Sequence, residues 1–394
     1  MTSFTGGPFA GMDRRQFLQA LAAFGLAGGA AGQDAWAQGK EPVKLGITEP
    51  LTGSQAGFGA DFVTGMRMAA KDINDAGGIN GRPLELIVID TQAQPQLGIN
   101  AVNRLATVDK AGMFITAWSA VVKAQAPVAN REKILQLSVG ANAPDIANLG
   151  DYVYTLYPLA DVDITALAKY THGTLGKKNA AVLYINNETG IDAAKIYKAV
   201  FEKEGGQIAL FEAYDPAATE FTGMLLKLRA ANPDVVHIHG LLVDVPLVVA
   251  QMRQLGLRQQ ITSYSVAYNP KMLEQLGAAM EGFIVTSLAP GVDENPNVKP
   301  YVDRWIKEVG RAPNGLPYVQ YNYDAILIAA RVFKHALDNN KPLTGESLRE
   351  SLITLREFDT PLTGKTVIDG HRVKKPVYLI TVKNGKFTPL AKLG

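Results

Sequence analysis

The residues able to do chemistry are few, and their spacing does not suit catalysis. Of five histidines, only His237 and His239 stand close together, in a stretch that alternates as a strand does. Side chains two apart on a strand share one face. Both imidazoles can therefore face a cleft, but no cysteine or acidic residue stands near to complete a metal set. The pair reads as sheet-face packing or as cleft lining at the strand's carboxyl end. Gly364-Lys365-Thr366 has the tail of a phosphate-binding loop, yet the position that needs the leading glycine is Asp359. That segment also does not lead from a strand into a helix. There is no G-x-S-x-G elbow, and nothing ties a serine to a His–Asp pair. Cysteine is absent, which excludes disulfides, thiol catalysis and thiolate metal sites. The chemistry left is non-covalent: the chain is expected to bind, with no cofactor, and not to be an enzyme.

The stretch best suited to binding is 44–82. Val43, Leu45 and Ile47 alternate as in a strand. Residues 49–59 are too rich in Gly, Pro and Ser to continue a strand or a helix. Phe62, Met66, Ala69, Ala70 and Ile73 then recur at helical spacing, so one helix face packs on a sheet. Gly77-Gly78 stops the helix, and Asn80-Gly81 turns the chain into a second strand at 84–90. The result is a βαβ unit with a polar loop at the carboxyl end of its first strand, where open α/β sheets hold ligands.

The same alternation continues along the chain. Helix patterns at 97–108 and 121–131 alternate with strand patterns at 113–116, 134–138 and 152–157. A second series follows, with helices at 164–170, 191–204, 220–230 and 245–255. Its strands fall at 180–185, 207–214, 234–239, 261–264 and 283–287. This is the signature of parallel sheets flanked by helices, and two series predict two lobes. Beyond a Pro- and Asn-rich loop at 291–300, helices at 301–309, 318–337 and 347–355 have no strands between them. They are expected to return and cover the first lobe, with terminal strands near 377–382 completing the second. The 394 residues, 47% of them hydrophobic, suffice for two cores. A net charge of +2 without a basic run argues against nucleic acid as a partner.

Three blocks carry a family resemblance: G-x-x-x-P-L-T-G at 46–53, D-I-N-x-A-G-G-I-N-G at 72–81 and L-E-L-x-x-x-D at 84–90. Together they resemble the periplasmic branched-chain amino-acid-binding family, the substrate-binding components of ABC importers. The resemblance spans essentially all of 41–393. It implies a type I, two-lobed periplasmic binding protein fold, each lobe a mainly parallel sheet flanked by helices. The first lobe would be 41–160 plus 288–358 and the second 161–287 plus 359–394. Chain crossings are then expected near 159–160, 287–288 and 358–361. The implied partners are a small-molecule carboxylate or amino acid and an inner-membrane ABC permease, with the binding protein a monomer.

The resemblance also implies a site. The serine that holds the ligand carboxylate falls at Ser119, and the second anion loop falls at 138–142, with Ala141 and Asn142 presenting main-chain N–H groups. A hydroxyl and amide donors at a helix start suit an anion, although Ser119 also reads as a plain helix N-cap. Asn142 stands where the family has threonine. Trp118 is a departure that puts an indole beside the anion site. Phe58 and Tyr318 fall at aromatic positions that cover the ligand. In the second lobe the residues matched are Thr189, Leu241 and Ser265, and Ser265 takes the place of the acid that meets an amino acid's ammonium. Asp161 is the remaining candidate counter-ion, while Asp161 and Asp163 both also read as N-caps for the helix that follows. The expected ligand is a small carboxylate with an apolar or aromatic body. Branched-chain or aromatic amino acids, or a sensor role in the same fold, are the alternatives.

Residues 1–37 resemble a cleaved twin-arginine-type export signal: Arg14-Arg15, an apolar run at 20–31 and Ala35-Trp36-Ala37. That run is shorter than the roughly 20 residues needed to span a bilayer. The mature chain is thus expected in the periplasm.

Overall fold

A computed structural model describes residues 40–393. The expected export signal lies outside the described residues. β1 (Val43–Glu49) buries Val43, Leu45 and Ile47 against α1 (Ala56–Asp75), whose Phe62, Met66, Ala69, Ala70 and Ile73 all turn inward. The loop between them folds back tightly: a Cβ on Gly59 would stand 1.8 Å from the Pro50 carbonyl oxygen, so only glycine permits the approach. The other end of this unit, β2 (Leu84–Asp90), anchors the loop. The Asp90 carboxylate accepts from Leu51 N at 2.9 Å, Thr52 Oγ1 at 2.6 Å and Gln92 N at 2.9 Å. Burial alone would raise the Asp90 pKa, but these donors hold it below the usual carboxylate value.

The chain continues through α2 (Pro95–Arg104), β3 (Met113–Thr116), α3 (Ser119–Glu132), β4 (Leu135–Ser138) and β5 (Val153–Thr155). These strands complete a wholly parallel sheet in the order β2-β1-β3-β4-β5. Next come α4 (Ala160–Lys169), β6 (Asn179–Ile185), α5 (Glu188–Lys203), β7 (Gln207–Tyr214), α6 (Thr222–Ala231) and β8 (Val235–His239). After these follow α7 (Asp244–Gln254), β9 (Gln260–Ser263), α8 (Pro270–Leu276) and β10 (Ile284–Ser287). Three helices come next: α9 (Val298–Val309), α10 (Leu316–Asp338) and α11 (Gly345–Leu355). Of these, α10 lies along α1.

Three short strands, β11 (Glu357–Phe358), β12 (Thr366–Asp369) and β13 (Arg372–Lys374), form a small antiparallel sheet of their own. Thr155 N donates to His371 O at 2.9 Å and ties this sheet to β5. The last strands, β14 (Val377–Lys383) and β15 (Lys386–Leu393), pair antiparallel at one side of the second sheet. Its order is β15-β14-β10-β9-β8-β6-β7, and from β10 to β7 it is parallel. Two mainly parallel sheets with helices on their faces thus make two lobes, as the alternation predicts. Among the described residues no helix is long and apolar enough to cross a membrane.

Candidate ligand-binding cleft

Where the carboxyl ends of the two sheets face each other, a cavity of about 70 Å³ opens. Its floor comes from the turns after β3 and β4. Trp118 leads into α3 with φ 63° and ψ 117°, a left-handed conformation that a bulky residue rarely adopts. Ser119 is therefore the first helical residue and not the N-cap. Its Oγ accepts from Ala143 N at 3.2 Å and ties the two floor loops together. The hydroxyl proton of Ser119 and the first-turn N–H groups of α3, which have no partner four residues back, are the natural donors to an anion. Gly140, Ala141 and Asn142 of the second loop line the same floor.

The walls are aromatic. Phe58, Phe62, Trp118 and Tyr318 stand on the first lobe, and Tyr264 faces them from the second. Phe62 stacks on Tyr318 with centroids 5.7 Å apart, and Trp118 leans on Phe62 at 5.4 Å. Gln55, Thr189, Leu241 and Val266 complete the lining with Ala117. Phe58, Trp118, Ser119, Ala141, Asn142, Thr189, Leu241 and Tyr318 are thus brought together around one space. Phe62, Tyr264 and Val266 join the lining beyond the residues to which the motifs point. Phe62 has the spacing of plain helix-face core, whereas Tyr264 and Val266 flank Ser265 directly.

Two expected residues do not line the cavity. The Asp161 carboxylate meets Arg372 of β13 at 2.5 Å, so its charge is already matched outside the cleft. Ser265 is buried behind Tyr318, with its Oγ 2.9 Å from Tyr318 OH and 3.1 Å from Tyr157 OH. These three hydroxyls, from three separate segments, satisfy one another. Asp163 is not the N-cap residue: α4 begins at Ala160, and the Asp163 carboxylate accepts from Thr286 Oγ1 at 2.8 Å. Burial raises its pKa to about 7. Asp244, just past Leu241, is spoken for as well, accepting from Leu241 N at 3.0 Å and from Tyr214 OH.

His237 and His239 take the packing role. Both are fully buried, with ring centroids 4.2 Å from Tyr197 and 3.8 Å from Tyr264 respectively. Desolvation lowers the His237 pKa to about 3 and that of His239 well below its ordinary value, so both imidazoles are neutral. Among the described residues no group of three or more His, Cys, Asp or Glu could hold a metal ion. Gly364 and Lys365 sit in the turn before β12, remote from any strand-to-helix junction.

Polar contacts join the lobes around the cavity. Besides the Ser265–Tyr318 pair, Asn269 Nδ2 donates to Asn314 O at 2.9 Å. Lys123 of α3 meets Asp145 at 2.7 Å and Glu188, at the start of α5, at 3.2 Å.

A sequence model described as periplasmic binding protein matches residues 42–386. The "Leu/Ile/Val-binding protein homolog 1" of Brucella suis is 28% identical over 323 residues, which is 82% of this chain and 85% of that protein. A leucine-binding protein from Thermotoga maritima superposes with a TM-score of 0.79 at 24% identity, covering 89% of this chain and 98% of the other. A solute-binding protein of an ABC transporter from R. palustris, solved with benzoate, superposes equally well: TM-score 0.79 at 17% identity, 89% and 96% covered. At such identities the structural likeness speaks for the fold.

Proposed function

The chain belongs to the periplasmic binding protein family, the substrate-binding components of ABC transporters, and from that premise we propose that its ligand is a small carboxylate with an apolar or aromatic body. One observation carries this reading: none of the residues lining the cavity is charged. A zwitterionic amino acid would bring a buried ammonium with no carboxylate to meet it, at a penalty of several kcal/mol. A lone carboxylate needs only the donors of the floor, and a flat apolar body suits the walls of Phe62, Trp118, Tyr264 and Tyr318. The benzoate carried by the R. palustris neighbour is a ligand of this chemistry. The Leu/Ile/Val name of the Brucella relative favours the second reading, a branched-chain or aromatic amino acid. Its ammonium would have to be met by hydroxyls and main-chain carbonyls alone.

On this reading 41–160 plus 288–358 move as the first lobe, and 161–287 with the terminal strands β14 and β15 move as the second. The expected boundary at 358–359 would cut the small sheet β11–β13, which is tied to β5 and so moves with the first lobe. The protein binds as a monomer, without catalysis, and delivers its ligand to a membrane permease. Export follows the twin-arginine route, so replacing Arg14 and Arg15 by lysine should retain the precursor in the cytoplasm.

A thermal-shift screen of benzoate, hydroxybenzoates and branched 2-oxo acids against leucine, valine and phenylalanine tests the ligand class. A ligand at 100 times its Kd stabilises by about 2.7 kcal/mol. Carboxylates should raise Tm while the amino acids do not. The reverse pattern would sink the carboxylate reading in favour of the amino acid.

A further inference from the structure

Directly beneath the floor of the cleft, the first sheet carries a polar layer none of whose residues lines the cavity. Thr48 pairs in register with Thr116, Thr116 with Ser138, and Ser138 with Thr155, across β1, β3, β4 and β5. All four residues are fully buried. They face α3. Thr48 Oγ1 accepts from Gln125 Nε2 of that helix at 3.0 Å. Gln136, two residues before Ser138 and so on the same face, donates to Val122 O at 2.9 Å. Yet the hydroxyl oxygens of Thr116, Ser138 and Thr155 and the Oε1 atoms of Gln125 and Gln136 have no protein hydrogen-bond partner.

Native cores seldom leave so many polar atoms unmet in one layer. The spacing points to what satisfies them. Neighbouring strands lie about 4.8 Å apart, beyond direct hydrogen-bond reach for hydroxyls that point straight off the sheet. One water with two bonds of about 2.8 Å spans up to roughly 5.6 Å. A cation fits poorly, because among the described residues no group of three or more His, Cys, Asp or Glu could hold one. The unmet atoms include both hydroxyl donors and amide acceptors, as water requires. We propose that this layer is a hydration site, with ordered waters bridging Thr116 to Ser138 and Ser138 to Thr155. Buried waters typically make about three hydrogen bonds, and the glutamine Oε1 atoms supply the further acceptors. The layer lies immediately below Ala117–Ser119 and Val139–Asn142 in sequence. Its waters thus pin the tips of β3, β4 and β5 to the helix that carries Ser119. This inference does not depend on which ligand the cleft takes.

The test uses a high-resolution crystal structure of the unmodified protein together with Thr116→Val and Ser138→Ala. Ordered water density is expected in both gaps. Both variants should lower Tm by several degrees, because each strands the polar atoms left behind. In a dry layer the same substitutions delete an unpaired buried hydroxyl, which leaves Tm unchanged or raises it. Dry gaps in the crystal structure, or a Tm that holds or rises in both variants, would overturn the inference. The crystal result stands even if a variant fails to fold.

Discussion

At the scale of single residues, the cleft depends on hydroxyls that hold aromatic rings. Ser265 bonds Tyr157 and Tyr318 at once, so Ser265→Ala leaves two buried phenols short of a partner, a loss of about 1–3 kcal/mol. Tyr318 would lose its fixed position in the wall. Calorimetric titration should show weaker ligand binding, and unchanged affinity would mean the hydroxyl chain does not set the wall. Ser119→Ala should weaken carboxylate binding by roughly tenfold, the scale of one charge-assisted hydrogen bond. Glu49 offers a pH test. Both its oxygens are buried without partners, and desolvation raises its pKa well above 4.5. The folded state then binds a proton that the unfolded state has released, so the contribution of Glu49 to stability falls as pH rises above 4.5. Glu49→Gln should flatten that fall, and Tm curves between pH 5 and 9 that stay parallel to the unmodified protein would refute it. That Ser119, Phe58 and Tyr318 converge on one cavity is legible because their motifs are local. The pairing of Asp161 with Arg372 is not, because the two lie 211 residues apart and no local pattern announces such a pair.

At the scale of elements, β8 is the strand most exposed to acid. Its two histidines are neutral because they are desolvated, His237 at about 3. Between that value and the ordinary 6.5 the unfolded chain binds more protons than the folded one. The histidines' own contribution to stability is therefore lost as pH falls through 6.5, against the opposite trend set by Glu49 and Asp163. From pH 7.5 to 5 the Tm of His237→Phe, which keeps the stack on Tyr197, should rise relative to that of the unmodified protein. A Tm difference that stays constant over that range would place the histidines' acid sensitivity elsewhere. The large elements could be read in advance because strand and helix periods persist over whole segments such as β6 and α5. The strands β11 to β13 could not, since two to four residues carry no period. Those same strands supply Arg372, the partner of Asp161.

At the scale of the whole molecule, polar contacts cross between the lobes around an uncharged space, and one apolar cluster spans both lobes as well. The pair of Lys123 with Glu188 is partly exposed, which limits it to about 0.2–1 kcal/mol. Glu188→Gln should hasten ligand release by up to about fivefold at low salt, and the difference from the unmodified protein should fade near 0.5 M salt as screening sets in. Equal release rates at low salt would show that the pair does not hold the lobes together. Two lobes were foreseeable from two series of alternating elements, but how their surfaces meet depends on long-range packing that no segment encodes alone. The backbone at Trp118 has a wider implication. A tryptophan held at φ 63° stores roughly 1–3 kcal/mol of strain, which glycine at that position would release. Libraries selected only for heat resistance should therefore drift toward glycine at 118 and discard a wall of the cleft as they harden. In this protein, durability and capture pull one codon in opposite directions.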